Sequence, residues 1–190
     1  MSIVTINNRS INRSDTASAG QKWTATSATA SDFQAAGGIT VADNWRLNAN
    51  DAIDSSETDL DTGWEQVDTT GQGTLGSAMT QSSGVFTFPS TGIYMITFIC
   101  HLYGDAGADW ATAKIQHENG SGTYTNLTDC RASYASGASI CIPAQTLFDV
   151  QNTSNDRIRF MSGGDTNGNL VIGSTSENRT SATFVRLGDT

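Results

Sequence analysis

The chain has 190 residues, ten Lys and Arg against nineteen Asp and Glu, a formal charge of −9 and 37% hydrophobic residues. That length suits one all-β domain with an appendage. The acidic balance excludes nucleic acid as a partner, because such binding needs Lys and Arg to neutralise phosphates. No apolar run reaches membrane-spanning length, so no membrane insertion is expected.

Residues 1–40 differ in character from the rest. They hold a tandem echo, NRSI at 8–11 and NRS at 12–14, and then a small-residue stretch over 17–36. Too few apolar side chains are present for this segment to bury a core alone. Ile3, Ile6, Ile11, Trp23 and Phe33 are nevertheless spaced along it as anchors on a polar tether. The reading is an extended N-terminal arm over 1–40 that lies on another surface, with Arg9 and Arg13 adding positive charge. Residues 41–190 form the head.

No window of the chain has helical periodicity, and the head reads as short strands with Gly- and Asn-rich turns. Strands are predicted at 45–47, 63–67, 85–88, 93–103, 111–117, 124–134, 139–150, 157–161, 170–172 and 183–187. The long run 93–103 alternates, placing Tyr94, Ile96, Phe98, Cys100 and Leu102 on one face. Its other face, Ile93, Met95, Thr97, Ile99 and His101, is still half apolar. A strand wanted on both faces suits a position between its own core and a neighbouring subunit. Tyr94, Met95, Ile99 and His101 are therefore the candidate subunit-contact residues. Between Arg46 and Lys114 there is no Lys or Arg, while nine Asp and Glu residues fall there, seven of them within 51–68. This acidic loop reads as a solvated surface, with docking of a basic partner or calcium binding as its alternatives.

Three cysteines, Cys100, Cys130 and Cys141, make an odd count. The opening MSIVTINNRSINR has no long apolar core and is not expected to be a secretory leader. Free, mostly buried thiols are expected rather than a disulfide framework. His101 and His117 lack metal-ligand spacing with the cysteines. The segments 59–63 and 165–169 lack the full calcium-loop pattern and read as turns. No nucleophile elbow or catalytic set is present. No enzyme activity, cofactor or metal is predicted.

Several runs in order, GVFTFP at 84–89, TGIY at 91–94, LFDV at 147–150, DRIRF at 156–160 and ATFVRL at 182–187, resemble the tumour-necrosis-factor-like and complement globular-head family. The likeness spans roughly 41–187. It implies a ten-stranded jelly-roll sandwich assembled as a compact homotrimer. The collagen stalk of animal members is absent, which sets their immune roles aside.

A narrower likeness lies in TINNRSINRSDT at 5–16, WTATSATASDF at 23–33 and GWEQVD at 63–68, which look like structural proteins of marine tailed bacteriophages. It implies a virion protein, made in the host cytoplasm, whose head is attached through Ile6, Arg9, Ile11, Arg13, Trp23 and Phe33. Its partners would be phage capsid or tail proteins. A short chain without a shaft favours capsid decoration or cement. The alternative is a tail-fibre or knob head that recognises a host glycan or protein through loops 104–109, 119–124 and 162–169, with Trp110 and Tyr124 exposed.

Overall fold

The computed structural model describes residues 4–6, 9–11, 21–25, 31–35, 38–53, 55–104 and 106–190, the first four segments as backbone. The chain divides into two units, Met1–Gly38 and Ile39–Thr190. In the first, β1 (Val4–Ile6) pairs antiparallel with β2 (Arg9–Ile11), and β3 (Gln21–Ala25) with β4 (Ser31–Ala35). Ile6 stands opposite Arg9, and Trp23 opposite Phe33. The extended tether expected from composition is thus two short hairpins where it is described. Pairing to a near neighbour satisfies backbone N–H and C=O groups without a core.

The second unit contains β5 (Ala42–Leu47), β6 (Asp51–Ile53), β7 (Thr58–Asp59), β8 (Trp64–Gln66), β9 (Thr80–Ser82), β10 (Val85–Thr87) and β11 (Gly92–Gly104). There follow β12 (Ala108–Asn119), β13 (Thr125–Tyr134), β14 (Ala138–Val150), β15 (Asp156–Gly164), β16 (Asn169–Val171) and β17 (Ser181–Gly188). All pairings are antiparallel. One sheet of six runs β13-β12-β15-β10-β9 with β7 on β15, and one of seven runs β6-β16-β11-β17-β5-β8 with β14 on β11. No described residue is helical. Apart from the hairpins β9–β10 and β12–β13, neighbours within each sheet come from distant parts of the chain, as in a jelly-roll sandwich.

All ten strands predicted in the head are present, with ends shifted by a few residues. The strands β6, β7 and β9 were not predicted; they are two or three residues long, and β7 and β9 are wholly polar. The inward faces meet as an aromatic core. Phe98 on β11 stacks on Phe160 of β15 at 4.6 Å between ring centroids, and Phe184 on β17 meets Phe86 of β10 at 5.2 Å. Trp64 lies edge-on to Phe86 at 5.2 Å. Each of these pairs joins the two sheets, and all four phenylalanines are fully buried.

The turn between β9 and β10 explains part of the GVFTFP motif. Ser83 and Gly84 both have positive φ, 49° and 73°, as a two-residue hairpin connection requires. A Cβ at Gly84 would lie 2.3 Å from the Leu60 carbonyl oxygen and 2.6 Å from the Asp61 Cα. Neither backbone atom can yield cheaply. Gly84→Ala is expected to cost more than about 1 kcal/mol of stability, read as a lowered urea midpoint. An unchanged midpoint would contradict this account of the turn.

Candidate functional site

Residues on β11 alternate strictly between a buried and a less buried face. Tyr94, Ile96, Phe98, Cys100 and Leu102 are fully buried within the single chain. The Tyr94 hydroxyl is bonded to Ser90, 3.0 Å from its Oγ and 3.1 Å from its carbonyl oxygen. Tyr94 therefore belongs to the subunit's own core, which corrects its assignment to a subunit contact. It has the opposite parity to Met95, Ile99 and His101 and cannot share their face.

The outward face is half-buried at Met95, Thr97 and His101 and exposed at Ile99. Strand register extends it across the seven-stranded sheet. Met95 stands between Leu147 and Val185, which is followed by Ala42, giving an apolar row four strands wide. The next row is Gln145, Thr97, Thr183 and Asn44, tied by Gln145 Nε2 donating to Thr97 Oγ1 at 2.9 Å and Thr183 Oγ1 to Asn44 Oδ1 at 2.6 Å. A third row holds Pro143, Ile99, Ser181 and Arg46. Leu147 is 63% exposed, Leu187 46% and Ile99 37%, three of the five exposed large hydrophobics among the described residues. The one charge in these rows is Arg46, and it is neutralised.

Arg46 is 1% exposed. Its Nε donates to Glu65 at 2.7 Å, Nη1 to Thr69 Oγ1 at 2.7 Å, and Nη2 to Asp68 at 2.8 Å and to the Thr175 carbonyl. Beside it, the buried Asp43 carboxylate accepts from Trp45 Nε1 at 2.9 Å, the Met79 backbone N–H at 2.8 Å and Gln66 Nε2 at 2.8 Å. Both charges are fully hydrogen-bonded, the condition for keeping them inside.

The outward face of the six-stranded sheet is the opposite in kind. Lys114, 5% exposed, lies 2.5 Å from Glu57 and 3.4 Å from Asp129. Arg159 pairs with Asp59 and stacks 3.9 Å above the Tyr124 ring. Arg131 covers Trp110 at 4.9 Å. Burial alone would raise the Asp129 carboxyl, but hydrogen bonds from Thr112 and Arg131 and the Lys114 charge outweigh it and hold the pKa below the usual carboxylate range. The acidic segment 51–68 is thus no free solvated loop. Glu57, Asp59, Glu65 and Asp68 are paired with Lys114, Arg159 and Arg46, so a basic partner would have to displace internal cations. Trp110 and Tyr124, expected to be exposed, are half-buried under arginines.

All three cysteines are free, but only Cys100 is buried. Cys130 is half-buried and Cys141 exposed, because Cys141 falls on the outward parity of β14 opposite His101. Burial pushes the Cys100 thiol up to about 12, slightly offset by its hydrogen bond to Ser162. Burial and then the Arg179 charge push the His101 pKa down. Among the described residues, no group of three or more His, Cys, Asp or Glu converges as a metal site.

Of the virion-attachment candidates, Ile6, Arg9, Ile11, Trp23 and Phe33 lie on the hairpin backbones of the first unit, and Arg13 lies outside the described residues. Of the three candidate recognition loops, 104–109 and 162–169 meet at one end of β12, where Ala111 pairs with Gly164. Loop 119–124 lies at the other end, with Gly120 against Asn155.

No protein-family model matches the chain, and no curated protein does. Solved structures do. Murine APRIL at pH 8.0 aligns with a TM-score of 0.56 at 20% identity over 77% of this chain and 98% of its own. Eiger TNF from S. frugiperda aligns at 0.60 and 16% identity over 80% and 96%. The globular domain of zebrafish complement 1qA reaches 0.49 at 12% identity over 76% and 94%, too distant to add to the argument. The head is a TNF-like jelly roll. At these identities the likeness establishes the fold and nothing further.

Proposed function

We propose that this chain is a non-enzymatic structural protein of a phage particle, a homotrimeric head held to the capsid by its N-terminal unit as a decoration or cement protein. The observation that carries the assembly is the apolar face of the seven-stranded sheet. In a chain of charge −9 this sheet keeps its central charge, Arg46, neutralised by Glu65 and Asp68 and leaves Met95, Ile99, Leu147 and Leu187 facing outward. An apolar patch of this kind, rimmed by polar residues, is the usual mark of an interface. A second copy is its occupant, and the number three is what the resemblance to the tumour-necrosis-factor-like family implies.

The virion reading is supported by the likeness of the 5–16 and 23–33 runs to tailed-phage structural proteins. Three N-terminal units presented by one trimer would act together, so that weak individual contacts hold firmly. Arg9, Arg13, Trp23 and Phe33 are the groups assigned to that contact. Deleting residues 1–38 is expected to abolish incorporation into virions, while the head still elutes as an assembly. Mass spectrometry of purified particles counts the copies. Hundreds per particle fit decoration of the capsid, whereas a handful would transfer the protein to a tail appendage. Normal incorporation of the truncated chain would defeat the attachment model.

A further inference from the structure

The outward face of β11 carries one side chain whose charge changes between about pH 5 and 8, the range in which histidine titrates. His101 continues the column of Met95, Thr97 and Ile99 and is half-buried in the single chain. The other histidine of the chain, His117, sits on β12 of the opposite sheet with its ring 5.4 Å from that of Phe148, and takes no part in this face.

The surroundings of the His101 ring come from four elements. On β14 its cross-strand residue is Cys141, exposed, with Ser139 and Pro143 next to it on the same face. On β11 itself Ile99 and Tyr103 stand on either side. The connection before β17 brings Arg179 and Thr180. The Arg179 charge acts on the ring, and Thr180 Oγ1 accepts from the His101 backbone N–H at 3.0 Å. Just past β16, the Ile172 N–H donates to the His101 carbonyl at 2.8 Å. Glu177, in the same connection as Arg179, is 62% exposed and already engaged by Arg179 Nε at 2.9 Å. Among the described residues no carboxylate pairs with the ring, and the charge that bears on it is of its own sign when it is protonated.

An uncharged imidazole suits a face that a second copy covers, being largely flat and apolar in body with a polar tip. A protonated one does not. It would set a cation beside Arg179 and under the neighbouring subunit, with no carboxylate to receive it, and burying an unpaired charge is strongly unfavourable.

We propose that His101 is a pH switch on the assembly: protonation of the ring parts the subunits and releases folded single heads. The proposal rests on the reading of the seven-stranded sheet as the subunit contact and adds its regulation. Burial first, and the Arg179 charge second, lower the His101 pKa already in the single chain, and cover by another subunit acts in the same direction. The covered state therefore holds the proton more weakly than the free one. Association is at full strength above the ordinary histidine value of about 6.5 and is lost as the pH falls through the lowered value. One ring per copy makes the loss steep. The separated head survives, because its half-buried ring reaches water.

Light scattering behind size exclusion tests this on the full chain at micromolar concentration and fixed ionic strength. The wild type is expected to show three times the chain mass at about pH 8 and the single chain mass at about pH 5, with an unchanged far-UV spectrum. His101→Gln, uncharged at both, is expected to keep the trimer mass throughout. A wild type that stays trimeric at the acid end would overturn the switch and leave the assembly face standing. A wild type already monomeric at the alkaline end would overturn the assembly face itself, and the switch with it. Acid dissociation of His101→Gln like that of the wild type would assign the effect to other groups. Should His101→Gln not assemble at the alkaline end, His101→Asn replaces it as the uncharged variant. Failure of both to assemble there would show a ring needed for packing, and would overturn the assignment to its charge.

Discussion

Replacing Leu147 by aspartate together with Ile99 by aspartate is expected to turn the assembled head into folded monomers. Light scattering behind size exclusion at micromolar concentration should fall from three times the chain mass to one. In a single chain both side chains reach solvent, Leu147 at 63% and Ile99 at 37% exposed, so carboxylates there cost the subunit little. In the assembly they would be enclosed by the apolar row of Met95, Val185 and Ala42 and by Pro143, while Arg46, the cation of those rows, is already committed to Glu65 and Asp68. Burying an unpaired charge costs several kcal/mol per site, which weakens association on the order of a thousandfold. The far-UV spectrum and melting of the monomer should remain those of a β-sandwich. A wild-type chain that is already monomeric, or a double variant that keeps its trimer mass, would refute the proposed face.

Arg46→Ala should produce the largest loss of stability of any surface-parity substitution in the head, about 3 kcal/mol. The guanidinium joins three parts of the chain: Glu65 on β8, Asp68 and Thr69 beyond it, and the Thr175 carbonyl in the β16–β17 connection. Removing it strands a partly buried Glu65 and a carbonyl and opens a void beneath them. The loss stays near the lower end for buried pairs because Asp68 is largely exposed and can return to water. Arg46→Lys should recover only part of it, since one ammonium cannot reproduce a fork that reaches four acceptors. Urea denaturation measures both variants. A loss below about 1 kcal/mol for Arg46→Ala would show that the network is ornament around an already stable sheet.

The strand pattern of the head was legible because a strand has period two, and Tyr94-Ile96-Phe98-Cys100-Leu102 displays it over five turns of the pleat. The same parity rule, applied strictly, excludes Tyr94 from the face of Met95. Three edge strands were illegible because two or three residues are too few to display a period, and two of the strands, TD and TQS, are wholly polar. The fate of the acidic segment was also hidden. Glu57 meets Lys114, and Asp59 meets Arg159, across separations that no local pattern encodes. Free acidity was therefore read where the folded chain holds internal ion pairs.

Composition and alternation alone determined an all-β sandwich with an aromatic core, free thiols and a distinct N-terminal segment. Those properties follow from which side chains water rejects and from the pleat of a single strand. Only the packing of the two sheets decided that one outward face is a charged, self-satisfied network and the other an apolar one. Such groupings depend on which strand ends arrive together, and that is set by the long-range closure of the sandwich.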